Sequence, residues 1–147
     1  MIRVIVVALA LMGLEASPLA AQERQVIHTP HAIAGLPFSE AVRVGNLVFL
    51  AGQIGNVPGT RQLADTGIAG QTRQTLENIR QVLTHAGSSL ARVVKCTVFL
   101  VDIRDYAAMN AVYASYFPTD RPARSTVEVA GLVFGARVEI ECIASAG

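Results

Sequence analysis

From residue 41 onward, hydrophobic residues recur at every second position, then at every third or fourth, then at every second again, and each change of period marks an element. Segments 41–44 and 46–54 predict two strands around a Gly45-Asn46 turn, a hairpin signal. The second strand is apolar on both faces, with Leu47, Phe49 and Ala51 opposing Val48, Leu50 and Ile54, which is more than a half-wetted strand carries. A loop follows, punctuated by Pro58-Gly59. The clearest helix covers 67–86, where Ile68, Thr72, Leu76, Ile79 and Leu83 recur on one face while Arg73, Glu77, Arg80 and Gln81 fall elsewhere. Asp65 or Thr66 can accept hydrogen bonds from its first free amides, and Gly87 can close it in a left-handed conformation. Segment 93–101 predicts another strand with apolar residues on both sides. A second helix spans 104–117, capped by Asp102, with Tyr106, Met109, Val112, Tyr113 and Tyr116 as its inner stripe and Pro118 beyond its end. Two strands, 123–130 and 136–144, close the domain.

The order is ββαβαββ, which predicts an α+β fold: one mixed sheet with two helices on one face. The closing strands raise a question. Each alternates, with Ser125, Val127 and Val129 opposing Arg124, Thr126 and Glu128, and with Val138, Ile140 and Cys142 opposing Arg137, Glu139 and Glu141. Read by polarity, the arginine and glutamate sets share the sheet face that the helices leave bare. That face would also carry Phe49 or Leu50, an apolar mixture seldom left to water. Packing against copies of the same chain would cover it.

Composition narrows the classes. The 147 residues suit one domain. A net charge of +1, with no basic stripe, argues against nucleic acid as a partner. Cys96 and Cys142 are read as two buried free thiols; a disulfide requires their strands to be neighbours with facing side chains. Neither the cysteine spacing nor the His28/His31 pair makes a metal site, and no metal is expected. Residues 1–21, with Arg3 before an apolar run and small residues ahead of Gln22, predict a secretory signal peptide too short to span a membrane. The expectation is a periplasmic or secreted protein without stable membrane anchoring; translation from Met12 would instead leave it cytoplasmic. Residues 22–40, polar and broken by Pro30 and Pro37, read as an extended arm or loop ahead of a domain at 41–147.

Candidate chemistry rests on Arg124 and Glu139. A guanidinium accepts a carboxylate in two parallel hydrogen bonds, and a glutamate within reach of the same ligand can hold or deprotonate a water. Together they suit hydrolysis of a small acid. No GxSxG nucleophile turn and no phosphate-cradling glycine loop is present in the sequence. Interface salt bridges or plain solvation of these charges is the structural alternative.

The segments GNLVFLAGQIG, QTRQTLENIRQVLTHAGSSL, VVKCTVFLVDIRDYAAMNAVYASYF, RPARSTVEV and VEIECIA, in that order, resemble the RidA family, the reactive intermediate deaminases. The resemblance implies a chorismate-mutase-like fold and a homotrimer with ligand clefts between subunits. It implies hydrolysis of small 2-imino and enamine acids to 2-keto acids and ammonia, without a cofactor. It puts the carboxylate anchor at Arg124, the water-positioning carboxylate at Glu139, and cleft-lining positions at Ala51, Gly52 and Gln53. Asn110 matches the family's helix asparagine and is read as structural. Two positions depart from the family pattern. Phe38 replaces a tyrosine, with Leu36 inserted before Pro37, and Thr126 replaces a cysteine; both are expected to contact substrate. A non-catalytic trimer that binds small carboxylates or partner proteins is the alternative.

Overall fold

The computed structural model describes residues 23–147; the predicted signal peptide lies outside the described residues. Seven strands and two helices follow the chain as β1 (Arg24–Ile27), β2 (Ala41–Val44), β3 (Leu47–Leu50), β4 (Gln53–Ile54), α1 (Ile68–His85), β5 (Val93–Leu100), α2 (Tyr106–Tyr116), β6 (Ala123–Glu128) and β7 (Val138–Ser145). They form one sheet in the order β1-β2-β3-β7-β5-β6, with β4 also paired to β7. Only β5 and β6 run parallel, so the sheet is mixed, as the sequence predicted. Strand β1 was not expected. Its four residues RQVI leave three exposed and bury only Ile27, too short a stretch for alternation to register.

Helix α1 ends where its glycine allows. Gly87 has φ +70°, the Gly87 amide donates to the Thr84 carbonyl (3.1 Å), and the Ser88 amide donates to the Leu83 carbonyl (2.8 Å). At the other end Gly67, not Asp65 or Thr66, is the capping residue; the Asp65 carboxylate sits two residues ahead and accepts from the Gly67 amide (2.7 Å). Leu76, Ile79 and Leu83 are fully buried against the sheet, joined by Val48, Val98 and Ile140. The second helix begins as a short 3-10 turn, Ile103–Asp105, capped by Asp102, whose carboxylate accepts from the Arg104 amide. Met109 and Tyr113 of α2 are buried, while Tyr106 is exposed, a departure from its predicted place in the inner stripe.

The cysteines pair. Cys96 of β5 lies directly opposite Cys142 of β7 and the two are joined by a disulfide, with Cα atoms 4.1 Å apart. The expectation of two free thiols fails because β7 folds back beside β5 rather than beside β6, which puts the two residues in register.

That strand order also settles which face each charge occupies. Arg124 pairs with Cys96, and Cys96 with Cys142, so all three share the helix-bearing face. Thr126 lies in the next row on that face, beside Val98 and Ile140. Glu139 pairs with Phe99, which pairs with Val127, so these three share the opposite face. The predicted common face for the arginine and glutamate sets is therefore wrong. The alternation was read correctly, but β6 carries its polar set inward and its apolar Val127 outward. The bare face holds Leu47, Phe49, Val127, Glu139 and Glu141, and Phe49 rather than the buried Leu50 is its aromatic.

Candidate functional site

The proposed residues fall into two groups. On the helix-bearing face, Arg124 emerges from the edge strand β6 against α2. Its guanidinium carbon sits 4.6 Å from the Tyr113 ring centre and 5.6 Å from that of Tyr106, within cation–π range. One guanidinium nitrogen donates to the Tyr106 hydroxyl (3.3 Å), and another lies 4.0 Å from the Met109 sulfur. No carboxylate among the described residues pairs with it. Aromatic faces thus hold the fork in place while leaving its hydrogen-bonding capacity largely unspent.

Around this guanidinium lie three buried polar atoms without a partner: Thr126 Oγ1, Asn110 Oδ1 and the Tyr113 hydroxyl. Buried polar groups are nearly always satisfied, so three orphans beside an unpaired arginine mark a place shaped for something polar. Burial pushes the Tyr113 phenol up to about 12, against the lowering effect of Arg124, so it stays protonated as a donor. The Asn110 amide first, and Arg124 second, lower the Tyr106 phenol from its ordinary value. Helical spacing puts Tyr106 and Tyr113 in the packed stripe, and Asn110 is read as structural only through the family resemblance; spacing does not distinguish a packed tyrosine from one that braces a cation at the sheet's margin.

The second group surrounds Glu139. A cavity of about 270 Å³ is lined by Phe38, Gly52, Gln53 and Glu139, together with Leu36 and Phe134 among others; Ala51, also predicted to line the cleft, is not part of its wall. Gly52 is what makes room for the carboxylate, since a Cβ there would lie 1.9 Å from Glu139 Oε1. Burial, and then the neighbouring negative charge of Glu141, raise the Glu139 carboxyl above its ordinary 4.5. A partly desolvated carboxylate of raised basicity is what a general base requires.

The cavity floor is fixed by α1. The Asn78 amide nitrogen donates to the Ile54 carbonyl (2.9 Å) and the Asn56 carbonyl (3.0 Å), holding the chain just after β4. On the far side, the Glu40 carboxylate receives the Thr29 amide (2.5 Å) and hydroxyl (3.1 Å), which anchors the N-terminal segment over the opening. Neither tether was foreseen, because both link positions with no common period.

The two groups cannot meet within one chain. Strand β5 separates β6 from β7, and Arg124 and Glu139 are three residues out of register, which puts their Cα atoms roughly 14 Å apart. Their side chains also leave opposite faces. One group ends in a cationic fork and the other in a carboxylate beside a cavity.

A single mixed sheet backed by two helices puts the protein in the α+β class. The family model described as Endoribonuclease L-PSP matches residues 27–146. The human 2-iminobutanoate/2-iminopropanoate deaminase is 41% identical over 84% of this chain and 91% of its own. The chloroplastic Reactive Intermediate Deaminase A of Arabidopsis thaliana is 42% identical over 84% of this chain and 66% of that longer protein. Among solved structures, that of yeast YEO7 superposes with a TM-score of 0.81 at 42% identity, covering 85% of this chain and all of that one. The chain belongs to the RidA family of reactive intermediate deaminases.

Proposed function

We propose that the protein hydrolyses 2-imino acids, and enamines after tautomerisation, to 2-keto acids and ammonia, at sites built by two copies of the chain. The observation that carries this reading is the unpaired Arg124 with three orphaned polar atoms around it, on the opposite sheet face from a carboxylate that needs a ligand's other end. A cyclic homotrimer presents one subunit's Arg124 group to the next subunit's Glu139 group at each of its interfaces. The exposed Leu47, Phe49 and Val127 on the bare face supply the apolar contact for such packing.

In this cleft Arg124 takes the substrate carboxylate through two charge-assisted hydrogen bonds, with Thr126 and Asn110 completing the polar surround. The imine carbon is already electrophilic, so orientation beside a water is most of what is required. Glu139 accepts a proton from the water as its oxygen bonds to the carbon of the protonated imine and the C=N electron pair moves onto nitrogen, forming a neutral carbinolamine. The protonated carboxyl returns that proton to the amino nitrogen. The C–N bond then breaks with its pair leaving on ammonia, while the hydroxyl gives its proton back to Glu139 as the carbonyl of the 2-keto acid forms, and the ammonia carries that proton away as ammonium. Gln53 and Phe38 line the substrate's path. The family model's description names RNA cleavage, but a chain of net charge +1 supplies little of the phosphate-neutralising surface that reaction needs.

The test generates imino acids in situ with an amino-acid oxidase and follows the imine pool by semicarbazide trapping. Wild type should speed imine loss, with Arg124→Ala and Glu139→Gln each reducing the rate over a hundredfold. A folded protein that binds small carboxylates through Arg124 yet accelerates nothing would make it the non-catalytic module instead.

We further propose export to the periplasm or beyond. Among the described residues no helix is long and apolar enough to cross a membrane. The Cys96–Cys142 disulfide is the kind of bond that persists in an oxidising compartment. Cell fractionation that finds the protein only in the cytoplasm would overturn this.

A further inference from the structure

We infer that the site selects imino acids with a large apolar side chain, branched or aromatic, seated in the cavity beside Glu139 between Phe38 and Phe134. This rests on the proposed imine hydrolysis and narrows its substrate class.

The cavity behind Glu139 is larger than a methyl group needs. At about 270 Å³ it approaches the lower end of pockets that enclose small organic ligands. Beside polar groups such as Gln53, Asn78 and Gln81, its wall carries apolar Ile33, Leu36 and Phe38 from the N-terminal segment and Val133 and Phe134 from the turn before β7. Three of these five are large side chains left in water: Phe38 is 54% exposed, Val133 59% and Phe134 47%. Continuous exposed apolar surface that runs into a carboxylate-bearing cavity has unspent driving force for an apolar group of a ligand.

Phe134 strengthens the case. It adopts φ +57°, the left-handed region, which a bulky side chain rarely occupies unless its surroundings hold it there. Its ring lines the cavity and stays half in water, and the Arg61 guanidinium stands 6.0 Å over its centre. A strained aromatic and a second exposed aromatic, Phe38, in the wall of one cavity form an arrangement that a flat or branched side chain fills and a methyl does not. With the substrate carboxylate held by the neighbouring subunit's Arg124 group, the side chain of a 2-imino acid is the part left to enter this space.

The experiment compares kcat/KM for the imines of alanine, leucine and phenylalanine in wild type, Phe134→Ser and Phe38→Ala, both substitutions falling at exposed positions. Wild type should favour the leucine or phenylalanine imine over the alanine imine by about tenfold or more, the range that a few seated carbons give. Each substitution should cut that preference to within about threefold by slowing the bulky substrates. A wild-type preference for the alanine imine, or a bulky preference that survives both substitutions, would overturn the inference. Binding of phenylpyruvate and pyruvate to the Glu139→Gln protein separates this failure from that of the reaction itself. Tighter phenylpyruvate binding that is lost with Phe134→Ser supports the pocket even if no imine is turned over, whereas equal binding of the two acids rejects it.

Discussion

If Arg124 and Glu139 serve one site from two different chains, two inactive variants should repair each other. Arg124→Ala removes the carboxylate fork, and two charge-assisted hydrogen bonds together contribute about 3 kcal/mol or more, so homotrimers of that variant should fall to about 1% of wild-type kcat/KM or below. Glu139→Gln removes the base and should fall comparably. In a cyclic trimer that contains both variants, one interface of the three joins an intact Arg124 to an intact Glu139, whichever variant is in the majority. Hybrids purified through two different tags should therefore recover about one third of wild-type activity per site. An unfractionated equal mixture should recover about one quarter, since roughly a quarter of random assemblies are not hybrids at all.

The assay needs only co-expression, tandem purification, mass measurement of the assembly, and the imine-loss rate. The alternative gives a distinct number. Were both residues to act within one chain, no mixture would contain a whole site, and hybrids would stay at the 1% floor. Verified hybrids at that floor would refute the reasoning from strand order, because opposite sheet faces and the intervening β5 are what force the two-chain site.

Other expectations follow from single contacts. Gly52→Ala should lower kcat/KM at least tenfold with little loss of thermal stability, because the new methyl meets only the flexible end of Glu139 and displaces its carboxylate; unchanged kinetics would detach that carboxylate from catalysis. The acid limb of the kcat/KM–pH profile should lie above pH 4.5: the base works ionised, burial and Glu141 raise its pKa, and protonation on acidification therefore switches it off earlier than an exposed glutamate. A limb at or below 4.5 in wild type would contradict the assignment. The disulfide closes a sequence separation of 46, which in the chain-entropy treatment gives about 4 kcal/mol of stabilisation. Cys96→Ala/Cys142→Ala should lose most of that in urea unfolding at matched protein concentration, and equal midpoints for oxidised wild type and the double variant would reject it.

Among the described residues the sequence pattern identified both α-helices and every strand except β1, with β3 and β4 read as one, since long periodic runs such as 68–85 and 93–100 leave little choice of element. It failed at β6 for a physical reason. Polarity assigns a strand's charged side to water only when the other side is the sole dry one. Here the helix-facing side of β6 lies at the sheet's margin, where α2 presents Tyr106, Tyr113 and Asn110 rather than aliphatic packing, and Arg124 and Thr126 point into that space. The outward side carries Val127 because, in the proposed trimer, another subunit covers it. In the proposed trimer the inverted strand would serve both ends: it places a cation under the edge of one subunit while its exposed Val127 meets the next. The same inversion moves Arg124 away from Glu139 within the chain, and under the proposed reaction assembly becomes a condition of chemistry. The disulfide was illegible on the same ground. Alternation assigned Cys96 and Cys142 to strands, but only the placement of β7 between β3 and β5 put them in one row with Arg124, where the bond ties the anchor's neighbouring strand to the strand that carries the base.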